Sequence, residues 1–112
     1  MTTRHNLAAY EAAGLESHHV PVADTASGAD ALDELLPLLR RELRRRGAVA
    51  VHGDYHTDFV AAVCAAHLYE RGGVEPAAGL AEAARAGLRV TPAACALVGV
   101  EWEEVMAVEP AA

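Results

Sequence analysis

A chain of 112 residues that is 53% hydrophobic and 22% charged is sized and composed for one soluble globular domain spanning residues 1–112, with the Ala-rich tail after Glu109 expected to be frayed. Its net charge of −7 argues against nucleic acid as a partner, because phosphate binding is driven by Lys and Arg releasing counterions. No apolar run is long enough to span a bilayer, and Met1-Thr2-Thr3-Arg4 leads into an amphipathic pattern instead of a signal-peptide block, so a cytoplasmic protein without membrane contact is expected.

In chain order, residues 3–13 read as a helix stopped by Gly14, with Leu15 placed for the apolar contact that accompanies such a stop. Ser17-His18-His19-Val20-Pro21-Val22-Ala23 has the β-branched content of a strand, and Pro21 assigns it to a sheet edge. Asp24-Thr25-Ala26-Ser27-Gly28 is a loop of turn formers. From about Ala29 to Arg46, Leu32, Leu35, Leu36, Leu39 and Leu43 recur at helical spacing. Pro37 inside that run predicts a kink, or a helix beginning shortly before it. All basic residues are Arg, and Arg40, Arg41, Arg44, Arg45 and Arg46 crowd the end of this helix, where the dipole favours cations. They read as a solvated helix end and not as a binding patch.

Residues 48–52, between Gly47 and Gly53, read as a buried central strand. A polar loop and an Ala-rich helix follow, from about Asp58 to Arg71, apolar on nearly every side as a helix in the middle of a domain is. Gly72-Gly73 ends it. Pro76 opens a further helix that stops at Gly87, and Thr91-Pro92 caps and opens a last one running through Leu97, Val98, Trp102 and Met106. Cys64 and Cys95 lie in apolar runs without metal-ligand or redox spacing and read as buried reduced thiols.

The loop concentrates the chemistry. His52, Asp54, His56 and Asp58 alternate through it, and the following helix directs unpaired backbone N–H groups back at them. His19-Val20-Pro21-Val22-Ala23-Asp24-Thr25, the Leu-rich helix, Val49-Ala50-Val51-His52, the buried helix, Arg71-Gly72-Gly73 and Leu88-Arg89-Val90-Thr91-Pro92 together resemble the C-terminal two thirds of a dual-specificity or tyrosine phosphatase domain. The resemblance implies an α/β fold, a truncated three-layer domain in which a few-stranded sheet is flanked by about five helices. It also implies that the usual N-terminal strand is lacking. Val49 to Val51 would then have an unpaired sheet edge, and a homodimer is expected to cover it.

The family's signature is degenerate here. His52 stands in its His position, Gly53 where the nucleophilic Cys belongs, Phe59 where the phosphate-clamping Arg belongs, and Asp24 matches its general-acid Asp. Without thiolate or guanidinium, cysteine-dependent phosphatase activity is expected to be absent. Asp54 and Asp58 would also oppose a phosphate in the old cradle. His52-Gly53-Asp54-Tyr55-His56-Thr57-Asp58 is similar to the first metal motif of the Asp-His-His phosphoesterases, but the defining triplet is absent and the chain is too short. Its likeness to the His-Gly-Asp loop of small-molecule kinases fails in the same way, for want of the downstream Asn and a nucleotide lobe.

Two functions follow. The first is a pseudophosphatase that binds a small molecule or a protein partner through loop 52–59, with Gly53, Tyr55, Thr57 and Phe59 as ligand-binding positions. The alternative is a cofactor-free acid–base enzyme of small-molecule metabolism, an isomerase, lyase or cyclase, using Asp24, Asp54 and His56. His52 and Asp58 complete its candidate set. Each has a structural role available to it, His52 in shaping the loop and Asp58 with Thr57 in capping the buried helix. No metal and no cofactor is expected.

Overall fold

The computed structural model describes the backbone of residues 3–53 and 56–109, with side chains from Ala8 onward. It is all helical: α1 (Thr3–Ala12), α2 (Ala29–Arg46), α3 (Thr57–Gly72), α4 (Pro76–Arg85), α5 (Pro92–Leu97) and α6 (Trp102–Met106). Among the described residues there is no strand, so the expected α/β three-layer sheet of a phosphatase-like domain is not present. The two segments read as strands, 17–23 and 48–52, have no ladder partners. A short apolar run is compatible with a strand, but a strand exists only through hydrogen bonds to another, and none of the described residues supplies them. The supposed central strand is not buried either. Ala48 and Ala50 are exposed, and Val49 is 39% exposed.

What takes the place of the sheet is α3. Its residues 58–63 and Ala65 are buried, as the uniformly apolar sequence demands. Ala61 and Ala65, one turn apart, face a core cluster with Leu80, Ala81, Ala83, Cys95 and Val105 from α4, α5 and α6. Phe59 and Val63, on the opposite side, face a second cluster with Leu32 and Leu39 of α2. The α3–α4 packing is the most extensive in the molecule. It is close because it is made of small residues: a Cβ on Gly79 would sit 3.1 Å from both Cα and Cβ of Ala65.

The helix ends follow the glycines. Gly14, Gly47, Gly73, Gly87 and Gly99 all have positive φ. After Gly99 the chain closes a turn with Val100 N–H donating to the Cys95 carbonyl at 3.0 Å, which splits the expected single last helix into α5 and α6. The restart at α6 uses a signal carried by Glu101 and Glu104, where the Glu101 N–H donates to Glu104 Oε1 at 3.0 Å. Pro37 does not delay α2, which begins at Ala29 and runs past it on the exposed side. Among the described residues no helix is long and apolar enough to cross a membrane.

Gly79→Val is expected to destabilise the fold by about 1–3 kcal/mol, because the neighbour it meets is α3 backbone that cannot swing aside. An unchanged urea midpoint would show that α3 and α4 are not in such close contact.

Candidate functional site

The first turn of α3 holds a buried, hydrogen-bonded carboxylate. Asp58 is 8% exposed, and its carboxylate is fully engaged. Thr25 Oγ1 donates to Oδ1 at 2.7 Å, Thr91 Oγ1 donates to Oδ2 at 2.6 Å, and the Phe59 N–H donates to Oδ1 at 3.0 Å. Thr91 is also the cap of α5, accepting from the Ala94 N–H at 3.2 Å. Burial by itself would raise the Asp58 pKa, but the hydrogen bonds from Thr91, Thr25 and the Phe59 amide outweigh it and hold the carboxyl below its usual range. A low-pKa carboxylate with its acceptor positions taken is a poor base and a poor nucleophile. Asp58 is a structural clamp that joins the 24–28 loop, α3 and α5.

Asp24 is similarly engaged, though at the surface. Its Oδ1 accepts from both the backbone N–H and the hydroxyl of Ser27, each at 2.9 Å, which fixes the loop into a turn. The Ser27 hydrogen bonds, with a smaller contribution from the nearby His56, lower its pKa. His56 is half-buried at the cap position of α3, without a side-chain capping bond. His52 points elsewhere: its Nε2 lies 2.9 Å from the Tyr10 hydroxyl, and the two rings meet edge to face at 84°. It ties α1 to the 47–53 segment.

The expected ligand-binding positions divide in the same way. Phe59 is a core residue, 5% exposed, and its ring requires Gly28: a Cβ there would lie 2.8 Å from Phe59 Cε1. Gly53 is under no such constraint, since a Cβ would make only ordinary contact with Val60 and His56. Thr57 is half-buried at the start of α3. Asp54 and Tyr55 lie outside the described residues. Two clefts among the described residues lie away from this loop, one between α2 and α3 and one along α5 and α6.

No family model, curated protein or solved structure matches this chain. The phosphatase resemblance thus has no support beyond the segments that suggested it, and the sheet on which its cradle would be mounted is not formed among the described residues.

A polar cluster that went unnoticed in the sequence lies at the other end of α2. Glu42, only 5% exposed, is approached by Arg45 at 3.1 Å, His18 at 3.4 Å, and Arg41 and Arg46 at 3.6 Å, while Arg46 and Arg45 also pair with Glu16. Glu16, His18 and Glu42 offer ligand atoms within 4.8 Å of one another. The surrounding guanidinium groups already neutralise both carboxylates, so the cluster is an ion-pair network. The spacing of Glu42, Arg45 and Arg46 on one helix was its only sequence signal. Cys64 and Cys95 are free thiols, and burial pushes both upward in pKa, away from nucleophilic reactivity.

Asp58→Ala is expected to cost about 2–3 kcal/mol in urea unfolding, since it leaves a buried threonine hydroxyl unpaired. The pH dependence has a defined sign. Because folding lowers the Asp58 pKa, its contribution is fully present above the unfolded carboxylate value of about 4 and is lost as pH falls through the folded value. Asp58→Asn should therefore flatten the acid limb of a stability profile, and an acid limb identical to that of the parent would refute the clamp.

Proposed function

We propose that this chain is a non-catalytic binding protein that associates through the exposed segment 47–53, by strand pairing with a second copy of itself. The observation that carries this is the state of that segment's backbone. Among the described residues, no N–H of residues 48–53 donates to a backbone carbonyl, and Ala48, Val49 and Ala50 are exposed. Val51 packs against the second core cluster and Tyr10 holds His52, so the segment is tethered to the domain at one end and free along its edge.

An exposed segment with unpaired backbone groups, here carrying the β-formers Val49 and Val51, is a template for strand addition. Proteins ordinarily guard such edges with Lys, Pro or inward charges, and Gly47-Ala48-Val49-Ala50-Val51-His52-Gly53 contains no Lys, Arg, Asp, Glu or Pro. A twofold axis through the segment would pair it antiparallel with itself and needs no other chain. The absence of catalysis in this reading is supported by the two acids best defined in the structure. Asp58 is consumed by its threonines and Asp24 by Ser27.

A second reading, acid–base chemistry by Asp24, Asp54 and His56, draws on one observation, the proximity of His56 to Asp24. It requires a turnover that Asp24→Asn and His56→Ala both abolish.

Sedimentation equilibrium tests the first reading directly. The parent protein is expected to be dimeric at micromolar concentration, and Val49→Lys and Ala50→Pro to be monomeric with unchanged helical circular dichroism, because neither residue is part of the core. A parent protein that is monomeric throughout that range overturns the proposal.

A further inference from the structure

The arginines of α2 divide into two sets by the face they occupy. Arg41, Arg45 and Arg46 are engaged with Glu16 and Glu42, as described above. Arg40 and Arg44, one helical turn apart, lie on the other face and border a cleft of about 390 Å³ against α3. From the α3 side the same cleft is bordered by His67 and Arg71, again one turn apart, with Leu43 and Gly47 closing its end.

The acidic group present, Glu70, pairs with Arg40 at 2.7 Å. Among the described residues no carboxylate lies within ion-pair distance of Arg44 or Arg71. With Glu70 set against Arg40, the cleft keeps two uncompensated guanidinium groups in a chain whose net charge is −7. The buried Nδ1 of His67 has no hydrogen-bond partner. A stranded ring nitrogen is tolerated better as a bare acceptor than as an N–H, which favours the tautomer protonated at Nε2 and makes the imidazole a donor on the wall of the cleft.

We propose that this α2–α3 cleft binds the phosphate group of a small anionic ligand, with Arg44 and Arg71 as its charged clamps, Arg40 as a flanking cation and His67 as a hydrogen-bond donor. Helix ends account for part of this arrangement, because cations are favoured where α2 and α3 terminate. The dipole explains why arginines are there. It does not explain why Arg44 and Arg71, neither with a carboxylate partner among the described residues, border one open volume, at a mutual repulsion that a bound dianion would relieve. Guanidinium forks also match phosphate oxygens in a way a simple cation does not. The site shares only Gly47 with the 47–53 segment and is lined by none of the residues that follow it up to Asp58.

Inorganic phosphate is the probe. In nitrogen-15 correlated NMR at constant ionic strength, phosphate is expected to shift the His67 ring and the amides around residues 43–47 and 67–71 saturably, while chloride leaves them unmoved. Arg44→Gln and Arg71→Gln should each weaken binding about tenfold, equivalent to losing one charge-assisted contact. Arg45→Gln, on the committed face, should leave it unchanged. Arg44→Lys should bind more weakly than the parent protein and more tightly than Arg44→Gln. Shifts that chloride reproduces, that fail to saturate, or that survive both Gln substitutions would overturn the assignment.

Discussion

The architecture depends on one carboxylate. Asp58 sits in the first turn of α3, where the helix dipole favours a negative charge, and it gathers a hydroxyl from the loop before α2 and another from the cap of α5. Three segments far apart in sequence are brought into register by a group whose desolvation is compensated because every bond it accepts comes from a donor held by its own local structure. Thr91 is fixed by its capping duty to α5, and Thr25 lies in a turn closed by the Gly28 N–H donating to its carbonyl at 3.1 Å. The apolar contacts of α3 supply the bulk of the stabilisation. The clamp decides how the helix is seated.

Much of this was legible in the sequence wherever a local rule applied. Gly14, Gly47, Gly73 and Gly87, together with Pro76 and Thr91-Pro92, each mark a helix end that depends only on neighbouring residues, and α3 announces its central position by having no polar face. What failed was inference from a partner. Residues 48–52 have the composition of a strand, but their conformation depends on whether another segment runs beside them, and no property of Val49 or Val51 encodes that. A reading by resemblance filled the gap with a sheet borrowed from elsewhere.

The candidate site shows the same limit. A cluster of His and Asp in a short loop is visible at once, but the roles of its members were set by Thr25, Thr91, Ser27 and Tyr10, which come from the loop before α2, the cap of α5 and α1. Asp58 became structural because two distant hydroxyls reach it, while His52 was drawn toward α1. Conversely, the arginines of α2 looked uniform as a run of letters. They acquired different surroundings only when helical geometry sorted them onto two faces, one lined with carboxylates and one facing α3.

The two core clusters share no buried side chain, yet each takes part of its surface from α3. A hydrophobic core divided in this way would ordinarily let a small protein come apart in halves. Here the partition is a single helix, so neither half can open without exposing a wall of the other, and the Ala-rich rod between them turns two modest oil drops into one cooperative unit. Its backbone amides should be the last in the molecule to exchange with solvent, and their protection would report the free energy of unfolding the whole chain.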